Sequence, residues 1–255
     1  MIKEKVFFRN SLGQKMCGVI CRPDGKGPFP VVVVCHGFSS NKESNNTKMM
    51  VPGLTADGIA VFAFDFSGHG ESEGKLENVT VSQAIDDLKS ALDYVDRNAL
   101  FDSTMIGLFG SSFGGITAIF VAASDKRVKV LALKAPICDF KKYTSDTREN
   151  VAGWKERGFL IGKNRRGEET KLNYSYYADG IRYNAVDVAK KIRVPTLVVV
   201  GDNDVTVFTE KVKEFFDTLD CKKRLEIIKG ADHWFDGKLE VVFGLTTGWF
   251  KSHLK

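Results

Sequence analysis

Six short segments are apolar at nearly every position, "FPVVVVC" (29–35), "IAVFAFD" (59–65), "TMIGLFG" (104–110), "VKVLALKA" (128–135), "PTLVVVG" (195–201) and "RLEIIKG" (224–230). Runs this short, continuous and rich in β-branched residues suit parallel strands buried on both faces. Between them the polar positions return at a helical spacing. The clearest case is "TVSQAIDDLKSALDYVDRN" (80–98), with apolar residues at Val81, Ala84, Ile85, Leu88, Leu92 and Val95, and with Thr80 and Gln83 spaced as a capping box. Further helices are predicted over "GGITAIFVAAS", over "TEKVKEFFDTL" (209–219) and over roughly 238–254. Residues 3–22 read as two strands around the turn "NSLGQ". The expectation is an α/β fold, a mostly parallel sheet with helices on both faces and an N-terminal antiparallel hairpin.

The alternation stops between about Asp139 and Lys191. No long apolar strand occurs there, but "RGFLIGKNRRGEETKLNY" has the pattern of a small hairpin, and five of the six tyrosines fall in the stretch. A connection this long inside a compact domain is expected to carry structure of its own. The predicted organisation is a core of residues 1–138 and 192–255 interrupted by a lid of residues 139–191.

Composition narrows the partners. With 43% hydrophobic and 27% charged residues the chain is an ordinary globular one. The formal charge of +5 is spread along the chain without aromatic interleaving, so no nucleic-acid partner is expected. The basic part of "KNRRGEE" (163–169) is answered by two glutamates and reads as a solvated turn. No run approaches the length of a bilayer span, and the start has no signal-peptide core. Five scattered cysteines without a CxxC pair fit reduced thiols. A cytoplasmic monomer or homodimer, without membrane association, is expected.

Gly110-Ser111-Ser112-Phe113-Gly114 fits G-x-S-x-G and lies between a predicted strand and a predicted helix, where a serine on a sharp turn becomes an exposed nucleophile. Ser112 holds the central position. A base and an orienting acid must then come from other strand ends. Of the four histidines, His36 and His69 follow earlier strands and His253 sits in the terminal helix. His233, in "KGADHWF" after the last strand, is the best placed base. The turn "GDNDV" offers Asp202 and Asp204 as the acid; Asp204 is preferred for its reach and Asp202 is expected to brace the turn. A phosphate loop lacks its Lys-Ser/Thr pair, and the histidines supply no HExxH site for a metal, so neither cofactor nor metal is expected.

The order Ser112, Asp204, His233 on successive strand ends resembles the α/β-hydrolase superfamily, over nearly the whole chain. The resemblance implies an oxyanion hole made by the backbone N–H of Phe113, after the nucleophile, and of Phe38, in "HGF" after the third strand. Each such donor contributes roughly 10²–10³ in rate. "DFSGHGES" (65–72) is similar to a loop of that superfamily, with Asp65 expected to fix backbone and His69 expected to be structural. The insertion and the terminal "IIKGADHWF" resemble the feruloyl (cinnamoyl) esterases. That implies a small-molecule ester substrate, aromatic or short-chain in its acyl group, and makes Asp139, Trp154, Tyr174, Tyr176, Tyr177 and Trp234 candidate substrate contacts. The same triad would serve a monoacylglycerol lipase, thioesterase or peptidase, and a catalytically silent binding scaffold is the rival from outside enzymes.

Overall fold

The computed structural model describes residues 1–147, 151–163 and 167–254. Its elements run β1 (Ile2–Arg9), β2 (Lys15–Arg22), β3 (Phe29–Cys35), α1 (Asn45–Ala56), β4 (Ala60–Phe64), α2 (Val81–Asp96), β5 (Phe101–Ser111), α3 (Phe113–Ala122) and β6 (Val128–Lys134). After β6 come α4 (Phe140–Thr147), α5 (Val151–Arg157), β7 (Phe159–Lys163), β8 (Glu169–Asn173), α6 (Ser175–Gly180) and α7 (Val186–Ala189). The chain closes with β9 (Thr196–Gly201), α8 (Thr209–Thr218), β10 (Lys223–Ile228) and α9 (Leu239–His253).

Eight strands form one sheet in the order β1-β2-β4-β3-β5-β6-β9-β10. β1 pairs antiparallel with β2, and β2 with β4; every other pairing is parallel. The central apolar runs behave as their pattern requires, since every residue of β4 and β9 is buried; "RLEIIKG" does not, because it forms the edge strand β10, none of whose residues is buried. Helices cover both faces. Along β5, Gly107 faces Phe250 of α9 and Gly110, three residues on, faces Ala118 of α3, and side chains an odd number of residues apart on a strand point to opposite faces.

Two local expectations need correction. Thr80 caps α2 by accepting from Gln83 N at 3.1 Å, but the Gln83 side chain donates to Asp87 one turn on, so only half of the capping box forms. The helix α1 was not predicted, because its sequence is polar at the start and carries Pro52 within it.

Between β6 and β9 the chain does form its own structure. β7 and β8 pair antiparallel as the predicted hairpin, while 164–166, the centre of the basic turn, lie outside the described residues. This stretch is tied to the core by polar contacts. Asp179 accepts from Ser82 N (2.9 Å) and from Ser82 Oγ at the start of α2, Tyr183 OH lies 2.6 Å from the same hydroxyl, and Asn173 donates to Asn78 at 2.7 Å.

Candidate active site

The turn from β5 into α3 places Ser112 at φ 53° and ψ −114°, a conformation in which a non-glycine residue costs about 1–3 kcal/mol. The surroundings fix it there. Ser112 N donates to Lys134 O (3.0 Å), and Ser112 O accepts from Gly115 N (2.9 Å) and Ile137 N (3.2 Å). Gly114 makes the turn possible by close approach, since a Cβ at that position would overlap the carbonyl oxygens of Cys35 and His36.

His233 Nε2 lies 3.0 Å from Ser112 Oγ, and His233 Nδ1 lies 2.8 Å from Asp204 Oδ2. The other Asp204 oxygen accepts from the backbone N–H of Thr206 (2.8 Å) and Val207 (2.9 Å). An ionised carboxylate only accepts, so Nδ1 carries the imidazole proton and Nε2 is left to accept from the serine hydroxyl. The Asp204 side chain is fully buried, which keeps water from competing for the imidazole. Asp202 takes the other part expected of it, accepting from Gly230 N. Asp232 accepts from Trp234 N and Phe235 N, and so holds the turn that carries His233 without orienting the ring.

Ser112 and His233 open on a cleft of about 550 Å³. One wall is polar and comes from the segment after β3, with Ser39, Ser40 and Asn41, and from the start of α1, with Asn45 and Asn46. Phe38, Tyr143, Trp234 and Leu239 supply apolar surface, and Gly162, Lys163 and Thr170 of the β7–β8 hairpin complete the rim. Phe38 thus borders the cleft, and Phe113 is the first residue of α3, directly after Ser112.

Of the six candidate substrate contacts only Trp234 borders this cleft. Trp154 and Tyr176 are fully buried, and Trp154 Nε1 donates to Leu172 O. Tyr176 packs on Phe38, Phe113, Phe140 and Trp154, and Tyr174 and Tyr177 pack on Trp154. These rings form the core of the inserted stretch and seat it on the loop that carries Phe38. Asp139 accepts from Lys142 N at the head of α4 and lies 3.9 Å from Lys211, off the cleft. The polar wall was not singled out as a contact; the run of serines and asparagines just past "HGF" was the available signal.

His36 and His69 are buried away from the cleft. His36 Nε2 accepts from Phe66 N (3.1 Å) and His69 Nε2 from Ser39 N (3.2 Å), so both rings must be neutral at Nε2. Burial pushes His36 down from 6.5 to about 4 and His69 to about 3. An unfolded chain takes up these protons below its own pKa near 6.5 while the folded chain does not. Their contribution to stability is therefore present above pH 6.5 and is lost as the pH falls towards 4 and 3. Urea unfolding is expected to show a loss of roughly 2 kcal/mol or more per histidine between pH 7 and pH 4.5. A free energy independent of pH over that window would contradict the neutral assignment.

The sequence model of the family described as serine aminopeptidase, S33 matches residues 26–160. An uncharacterized 31.7 kDa protein from the traX-finO intergenic region of Escherichia coli is 27% identical over 274 residues, covering 91% of this chain and 94% of that protein. Among solved structures, the α/β hydrolase GrgF from Penicillium sp. sh18 superposes with a TM-score of 0.85 at 21% identity, covering 100% of this chain and 99% of that one. Est1E from Butyrivibrio proteoclasticus, solved with ferulic acid, gives 0.85 at 22% identity, covering 97% and 98%. Likeness at these identities establishes the fold, that of the α/β-hydrolases.

Proposed function

The chain belongs to the hydrolase family described as serine aminopeptidase, S33, and from that premise we propose that it is a serine carboxylesterase acting on small aromatic or short-chain acyl esters. The observation that carries the proposal is the unbroken chain of contacts from buried Asp204 through His233 to Ser112, the last two of which border one cleft. Ser112 Oγ attacks the ester carbonyl as His233 Nε2 takes its proton. The negative charge formed on the carbonyl oxygen is received by the backbone N–H groups of Phe38 and Phe113. His233 returns the proton to the leaving alcohol, and then activates a water that releases the acid from Ser112, with Asp204 stabilising the imidazolium in both steps.

The size of the cleft suits a small ester, and Phe38, Tyr143 and Trp234 support an aromatic or short acyl group. In this reading residues 139–191 act as a lid, supported by the four positions at which they reach the cleft, Tyr143, Gly162, Lys163 and Thr170. No helix among the described residues is long and apolar enough to cross a membrane. The five free thiols support a cytoplasmic site of action.

The test is a comparison of p-nitrophenyl acetate, butyrate and octanoate with methyl ferulate, an acyl-CoA and an aminoacyl arylamide. The acetate, butyrate and ferulate esters are expected to be turned over fastest. An arylamide or acyl-CoA hydrolysed faster than every ester would overturn the ester assignment and make the enzyme a peptidase or thioesterase.

A further inference from the structure

Lys42 is among the few buried charged residues of those described, 4% exposed, although it lies only four positions beyond Phe38 and between two residues that border the cleft, Asn41 and Ser44. Its side chain runs the other way. Nζ donates to Asp65 Oδ2 (2.7 Å) and to Glu71 Oε1 (2.8 Å), and the Lys42 backbone N–H donates to Asp65 Oδ1 (2.7 Å). Asp65, wholly buried at the end of β4, is itself immobilised. Its second oxygen also accepts from Glu71 N (2.9 Å), its carbonyl accepts from Ser72 Oγ (2.6 Å), and its N–H donates to Cys17 O in β2 (2.9 Å). Gly70, at φ 52°, leaves the space this carboxylate occupies, because a Cβ there would overlap it.

The network therefore joins two loops that follow neighbouring parallel strands. The loop after β4, residues 65–72, does not reach the cleft; the loop after β3 forms its polar wall and carries Phe38. Any effect of Asp65 on chemistry must pass through the second loop. Bonds at its two ends and its middle cross the gap: Phe66 N to His36, Ser39 N to His69, and the Lys42–Asp65 pair. Of these the ion pair is the strongest, being charge-assisted and doubled by the backbone N–H. Burial of a lysine is costly, and an apolar pair of similar volume would serve stability equally well. What the apolar pair would not supply is a directional hold on the loop backbone.

We propose that Lys42 is a positioning residue for the reaction, holding the loop after β3 against Asp65 so that the Phe38 N–H stays aimed at the oxygen on which charge develops. The proposal rests on the esterase reading above. Displacing that donor by a fraction of its bond length weakens the transition state and leaves substrate binding in the cleft nearly as before.

Wild type, Ser112→Ala, Lys42→Met and Lys42→Gln are to be compared on p-nitrophenyl butyrate and on a trifluoromethyl ketone, which forms an oxyanion on the serine. Both Lys42 variants are expected to lose about 10- to 100-fold in kcat with KM changed by no more than about twofold. Affinity for the ketone should fall by the same factor as kcat, and Lys42→Gln, which keeps a donor for Asp65, should fall less than Lys42→Met. A folded Lys42 variant with wild-type kcat, or a loss confined to KM, overturns the proposal. Wild type no more active than Ser112→Ala would instead overturn the esterase reading. Hydrogen exchange on the wild-type protein judges the hold separately: Ser39 and Lys42 amides as protected as those of β3 support it, and exchange there as fast as in an exposed turn refutes it.

Discussion

Ser112→Ala is expected to reduce kcat for p-nitrophenyl butyrate by about 10⁴- to 10⁶-fold while leaving the unfolding free energy close to that of wild type. The loss is large because Oγ is the atom that would bond to the acyl carbon, and no other group can replace it once His233 Nε2 has no hydroxyl to deprotonate. The fold should be indifferent to the change. Alanine keeps the Cβ that already tolerates φ 53°, and the backbone hydrogen bonds that hold the turn, to Lys134, Gly115, Ile116 and Ile137, involve main-chain atoms. The check is steady-state kinetics beside urea unfolding. Turnover that survives in Ser112→Ala and disappears in Ser111→Ala would move the chemistry to the neighbouring serine.

Asp204→Asn should cost about 10⁴-fold in kcat at neutral pH. The two oxygens of Asp204 have different tasks, and this sets the outcome. Oδ1 accepts from Thr206 N and Val207 N, so an asparagine must place its own oxygen there and turn its NH₂ towards His233 Nδ1. That nitrogen must then accept, its proton moves to Nε2, and the ring can no longer take the proton of Ser112. Because the turn keeps both backbone bonds, stability should change far less than activity. Asp204→Ala would lose both, which makes it the poorer experiment. Near wild-type activity in Asp204→Asn would mean that another group orients His233.

The centre of the sheet was legible because its strands are buried on both faces, which leaves almost no polar position to confuse the pattern in "VVVVC" or "TLVVV". The site was legible for a related reason. Ser112, Asp204 and His233 each follow a strand end, and glycine-bearing turns mark those ends. What escaped was whatever depends on contacts across the fold. The helix α1 carries a proline and starts on "ESNN", so neither propensity nor periodicity announces it, and its packing against α9 makes up the difference. Aromatic residues of the insertion were read as substrate contacts because a sequence cannot tell a ring that lines a cleft from one that fills a core. Trp154 and Tyr176 fill a core. The polar wall from Ser39 to Asn46 was passed over because serine and asparagine in a loop ordinarily mean a solvated turn, and only the folded chain shows that this loop faces Ser112.

The bond from Ser82 N to Asp179 has a bearing on how the protein can move. It supplies the first turn of α2 with an acceptor borrowed from a distant part of the chain, where a helix ordinarily draws one from its own preceding residues. Lifting Ser175–Gly180 away would leave that core helix with an unanswered amide and Tyr183 without its serine. The part of the insertion around α6 is therefore an anchored base, and beside it Asn173 ties the second strand of the β7–β8 hairpin to Asn78 of the core.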